Sequence, residues 1–170
     1  AEYYGGEPGD QREIAAAIRV GGSAPRDWTG ARRPVDLYDA KADAMTALAA
    51  IGAPVDRLQA MREAPAWYHP GRSAALKLGP KNPLAAFGEL HPKIVKAMDL
   101  RGPVVAVEIY LEALPPAKRK GTARPALVLD ALQAVERDFA FVVDADVEAE
   151  RITRAAAGAD KALIAGVSVF

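Results

Sequence analysis

The segment Val104-Val105-Ala106-Val107-Glu108-Ile109-Tyr110-Leu111 most limits how this chain can fold, because it alternates and is rich in residues branched at the β-carbon. It predicts a strand, and a strand needs neighbours to satisfy its backbone. Several other short runs qualify. Ile14 to Val20, closed by Gly21-Gly22, reads as a buried strand. Arg57 to Glu63 is another candidate, followed by Ser73 to Leu78, ended by Gly79-Pro80, and by Leu84 to Leu90 after Asn82-Pro83. One longer helix lies between the first two. Asp36 stands at its N-cap, Asp39 in its first turn, and Tyr38, Met45, Leu48 and Ile51 share a face before Gly52 and Pro54 stop it. His91-Pro92 opens a second, short helix, since proline in the first turn forfeits no hydrogen bond. Short strands with few helices read as α+β.

The composition then shifts. Pro115 to Pro125 carries four positive charges, no negative ones and three prolines, which marks a linker between modules. Beyond it, Asp138 to Val143 reads as a strand, Asp144 and Asp146 as capping carboxylates, Val147 to Ala157 as a helix and Lys161 to Phe170 as a second strand. Phe139, Phe141 and Val143 share one strand face. A core role is the better reading than stacking on RNA bases. The chain begins at Ala1 without Met and stops inside an apolar run at Phe170, so a fragment of a longer protein is expected.

At 170 residues and 51% hydrophobic content, the chain can bury a real core. Its 22 basic and 22 acidic residues cancel, so any pull on nucleic acid must be local. With no cysteine, disulfides and thiolate metal sites are excluded. No apolar run reaches the length of a membrane span. Residue types that could do chemistry gather in Trp67-Tyr68-His69-Pro70-Gly71-Arg72-Ser73, which reads as an active-site-like loop. A hydrolase or transferase would use His69, Arg72, Ser73 and Glu89, yet Ser73 lacks the Gly-x-Ser-x-Gly elbow and Arg72 better suits a carboxylate. His69 and His91 are the two histidines, each before a proline, and structural corners suit them better than a metal site. No glycine-rich phosphate loop appears. An RNA- or protein-binding adaptor remains a further alternative.

Three ordered segments carry a specific resemblance: Val35-Asp36-Leu37-Tyr38-Asp39-Ala40-Lys41-Ala42-Asp43, Trp67 to Ala74, and Phe87-Gly88-Glu89-Leu90-His91-Pro92. They resemble the β subunit of bacterial phenylalanyl-tRNA synthetase near its C-terminal end. Val135 to Asp144 resembles the start of that family's ferredoxin-fold anticodon-binding domain, and Gly166 to Phe170 its second strand. The family usually has glycine where Ala42 stands, a change a helix tolerates well. The resemblance implies an α+β fold in which residues 1–114 form an antiparallel sheet with flanking helices, shaped like a class II synthetase core but catalytically empty. Residues 115–125 are then a basic linker, and 126–170 a truncated ferredoxin-like β-α-β half. It further implies a cytoplasmic ligase, a heterotetramer with an α subunit, that uses ATP and Mg²⁺ and binds tRNA(Phe), without a membrane. The expected motif residues are Asp36, Lys41, His69, Gly71, Arg72, Glu89 and His91, all structural. Lys118, Arg119, Lys120, Arg124, Arg137 and Lys161 are the candidates for RNA contact, directed at phosphate.

Overall fold

The computed structural model describes residues 2–4, 6–7, 9–25, 28, 32–116, 126–127 and 132–169. The chain divides into two compact units, Ala1–Ala117 and Lys118–Phe170. In the first, five strands form an antiparallel sheet in the order β2 (Gln11–Val20), β6 (Val104–Tyr110), β5 (Pro83–Leu90), β4 (Tyr68–Lys77), β3 (Gln59–Met61), and the short β1 (Glu2–Tyr4) extends it beside β2. The central strands β6 and β5 come from the most apolar stretches. Leu84, Ala85, Ala86 and Phe87 are all buried, so β5 is covered on both faces.

Helix α1 (Leu37–Ala50) packs on β5 and β6. The Asp36 carboxylate accepts from the amides of Tyr38 and Asp39, and Asp39 in return accepts from the Asp36 amide, a reciprocal capping box. At the other end Gly52 takes φ +82°, which stops the helix. Ala40, Ala44 and Leu48, four residues apart, are the buried stripe and meet Phe87, Val105, Val107 and Ile109. This corrects the expected face: Leu48 is inward, but Tyr38 and Ile51 are exposed. Small alanines let the helix axis approach the sheet, and that rotates the larger residues outward.

Arg33 clamps this cap. Its Nη1 and Nη2 lie 2.7 Å from the two Asp39 oxygens. The Arg33 hydrogen bond, followed by the Asp36 amide, lowers the Asp39 pKa from 3.8 to about 2. A depressed folded-state pKa adds stability above the unfolded value, and that stability is lost as pH falls through the folded value. Unfolding measured against pH should therefore show an acid-side loss between 3.8 and about 2 that Asp39→Asn abolishes. A variant with the wild-type acid profile would show that the clamp contributes nothing.

Further departures from the sequence reading are local. β2 is a strand, but its side chains are largely exposed rather than buried. Arg57 to Glu63 yields a 3-10 turn at Val55–Arg57 and the three-residue β3. β4 starts at Tyr68, so the suspected loop is itself strand, with a register irregularity between Tyr68 and Ser73. A bulge there admits Pro70, which cannot donate to a ladder.

Among its described residues the second unit holds one helix, α3 (Ala149–Ala159). Neither Asp138–Val143 nor residues 161–169 form a strand, which corrects the expected β-α-β half. A strand needs a partner to satisfy its backbone, and among the described residues neither segment pairs with another. Phe139 and Phe141 stack on each other with ring centroids 6.3 Å apart, but at 72% and 64% exposure they are not core. α3 also starts later than expected, at Ala149, with no side-chain cap.

Candidate interaction surface on the open sheet face

Strand alternation assigns the two faces of the sheet. Val105, Val107 and Ile109 of β6 point toward α1, so Ala106, Glu108 and Tyr110 point away. Register extends that outer face across the sheet: Ala16 and Ala86 flank Glu108, Ile18 pairs with Ala106, and Val20 pairs with Val104. Ile18 and Val20 are 58% and 51% exposed, high for branched aliphatics in the middle of a unit. The α1 side of β2 is tied down instead, where Arg19 pairs with Asp43 of the helix at 2.5 and 2.7 Å.

Trp67 and Tyr68 fold over part of the outer face. Tyr68 is buried and its hydroxyl lies 3.4 Å from the Ala86 carbonyl. Burial first, and the charge of Glu108 second, push its phenol far up. Trp67 Nε1 donates to Glu108 Oε2 at 3.3 Å, and its ring centroid is 6.4 Å from that of Tyr68. Desolvation raises the Glu108 carboxyl above its ordinary range, and the indole hydrogen bond only partly offsets this.

The bulge next to these aromatics uses up the groups that resembled catalytic machinery. The His69 ring accepts at Nδ1 from the Gly71 amide, 3.0 Å away. Ser73 Oγ donates to the His69 carbonyl at 2.6 Å, not to its ring. Arg72 Nε meets Glu89 Oε2 at 2.6 Å. The hydrolase alternative therefore lacks its nucleophile–base contact. Arg72 is half exposed, so its ion pair is worth about 1 kcal/mol at most. His91 accepts at Nδ1 from the Lys93 amide, capping α2 (Pro92–Ala97), and its own amide donates to the Trp67 carbonyl at 2.8 Å. Gly71 has ordinary room for a side chain, the nearest atom being 3.8 Å from an added Cβ.

Gly88 is the glycine the bulge requires. Its φ is +146°, and an added Cβ would lie 2.5 Å from the Arg72 carbonyl oxygen and the Ser73 Cα. Lys41 sits partly exposed on α1, away from the bulge in sequence. Arg137 donates to the Glu136 carbonyl, and Lys161 is exposed. Lys118, Arg119, Lys120 and Arg124 lie outside the described residues. Trp67 stood at the head of the quoted run, but its partner Glu108 was not singled out. An acid inside an otherwise apolar strand was the available signal.

Among the described residues, no group of three or more His, Asp or Glu could hold a metal ion, and no helix is long and apolar enough to cross a membrane. Residues 4–111 match the family model described as phenylalanyl tRNA synthetase beta chain CLM domain. Over 168 residues the chain is 60% identical to the phenylalanine–tRNA ligase beta subunit of Cereibacter sphaeroides and 56% identical to that of Ruegeria pomeroyi. It is 52% identical over 170 residues to the subunit of Paramagnetospirillum magneticum. Each alignment covers 99% of this chain but 21% of the relative, so the chain spans about a fifth of their length.

Proposed function

The chain belongs to the phenylalanyl-tRNA synthetase β-chain CLM family, and on that premise we propose that it serves phenylalanine–tRNA ligase as a non-catalytic scaffold. In this reading it lies toward the C-terminal end of the β subunit. Residues 1–114 form a module resembling a class II synthetase core, 115–125 a basic linker and 126–170 the first part of a ferredoxin-fold anticodon-binding domain. The module docks on the α subunit and helps to place tRNA(Phe) in a cytoplasmic heterotetramer. ATP and Mg²⁺ belong to the holoenzyme. Among the described residues, the polar groups of the bulge are bound to backbone or to each other.

The observation that carries this proposal is a sheet with one face covered by α1 and the other left exposed along β2. α1 buries one side, while the other presents Ile18, Val20 and Trp67 beside a desolvated acid. An apolar face of this kind is what a subunit interface uses. RNA contact falls to the cations Lys118, Arg119, Lys120, Arg124, Arg137 and Lys161, which engage phosphate without sequence preference.

Phenylalanine-dependent exchange between ATP and pyrophosphate tests the division of labour. The β chain alone should give none, and adding the α subunit should produce it. Exchange by the β chain alone would overturn the scaffold reading.

A further inference from the structure

Among the described residues of the first unit, several charged groups that are partly withdrawn from water form ion pairs. Asp39 has Arg33, Asp43 has Arg19, Glu89 has Arg72, and the buried Lys77 has Glu63. Glu108 has an indole N–H at 3.3 Å and, among the described residues, no lysine or arginine. It stands mid-strand between Ala16 and Ala86, with Tyr68 and Trp67 to one side and the exposed Ile18 and Val20 to the other. Among the described residues its carboxylate is shown with one hydrogen bond, from Trp67, and Glu108 is partly exposed.

A chain that covered Ile18 and Val20 would take the rest of Glu108 out of water. Burying an unpaired carboxylate is costly, and a cation or a proton must offset it. The first of these is the better match. The residue is partly exposed, and the indole N–H at one carboxylate oxygen favours the ionised form. A phosphate backbone is a poor occupant here, because the carboxylate would repel it.

We propose that Glu108 is the charged anchor of this docking face, taking a lysine or arginine side chain from the protein subunit that covers Ile18 and Val20. The inference rests on the docking role argued above and adds the chemistry of the contact. Glu108 is thus a specificity-determining residue. It admits a partner whose matching surface carries one cation among apolar groups and rejects one that places an acid or an apolar group opposite.

The test uses the full-length β chain and the α subunit, comparing wild type, Glu108→Gln and Ile18→Asp. The readouts are the subunit dissociation constant at two salt concentrations, the melting temperature of the free β chain and its affinity for tRNA(Phe). Glu108→Gln should weaken association about thirty-fold or more and flatten its salt dependence. The melting temperature of the free chain should stay unchanged or rise, because a desolvated charge has been removed. A residue with a merely structural role would move the melting temperature down with the affinity. If Ile18→Asp abolishes association while Glu108→Gln behaves as wild type, the face docks but the ion pair is refuted. If Ile18→Asp has no effect, the docking face itself is wrong. A gain in tRNA affinity by Glu108→Gln with unchanged subunit association would assign the face to RNA and overturn the proposal.

Discussion

Gly88→Ala is expected to destabilise the chain by about 3 kcal/mol or more. Two costs add. A non-glycine residue at φ +146° is strained wherever it stands, and here the new Cβ would collide with backbone. The atoms at 2.5 Å are the Arg72 carbonyl oxygen and the Ser73 Cα, which cannot swing aside as a flexible side chain would. Relief requires β4 and β5 to separate where Ser73 pairs with Gly88. That movement would strain the Arg72–Glu89 ion pair and the serine hydrogen bond together. Denaturant unfolding of the variant checks this, and an unchanged midpoint would mean that the ladder widens there freely.

Phe87→Ala is the other large effect, expected to cost about 3–5 kcal/mol. The ring is fully buried in the layer between β5 and α1, among Leu48, Val105 and Val107. Deleting it leaves a cavity that the short alanines of the helix cannot fill, because Ala40 and Ala44 have no longer rotamers to move into the space. Phe139→Ala is the matched control. Its ring is exposed and, among the described residues, stacks on Phe141, so the unfolding midpoint should barely move. Equal losses from the two substitutions would contradict the assignment of the core to the first unit.

How far each segment could be read depended on whether its information was local. The Asp36 cap and the His91-Pro92 start were legible because capping joins groups two or three residues apart. β6 and β5 were legible because their branched and apolar runs fit a sheet interior. The Trp67–Ser73 segment was misread as a loop because Pro70-Gly71 is turn chemistry, and only pairing with β5 shows that a bulge absorbs it. Tyr38 and Ile51 were placed inward because size was weighed over alanine, whereas packing against a sheet rewards the smaller side chain. The two strands expected after residue 137 had suitable sequences, but a strand is a property of a pair. The candidate site was half visible. Arg72 and Glu89 were both in the quoted motifs, and the register of β4 on β5 joins them, while Glu108, outside those motifs, meets Trp67.

The register of β2 on β6 also sets an order of events. Ile14 lies opposite Tyr110 and Val20 opposite Val104, partners roughly ninety residues apart along the chain, a long-range closure of the kind that slows folding. At a synthesis rate of roughly 5–20 residues per second, β2 emerges and waits on the order of 5 to 20 s for its neighbour. During that interval β5 and β4, joined by a short turn, can zip together while β2 has only the three-residue β1 beside it. The middle of β2 is Ala15-Ala16-Ala17, residues with little appetite for strand pairing. A strand that must wait is thereby kept from committing early to a neighbouring nascent chain, and the arrival of β6 on the ribosome becomes the step that closes the sheet.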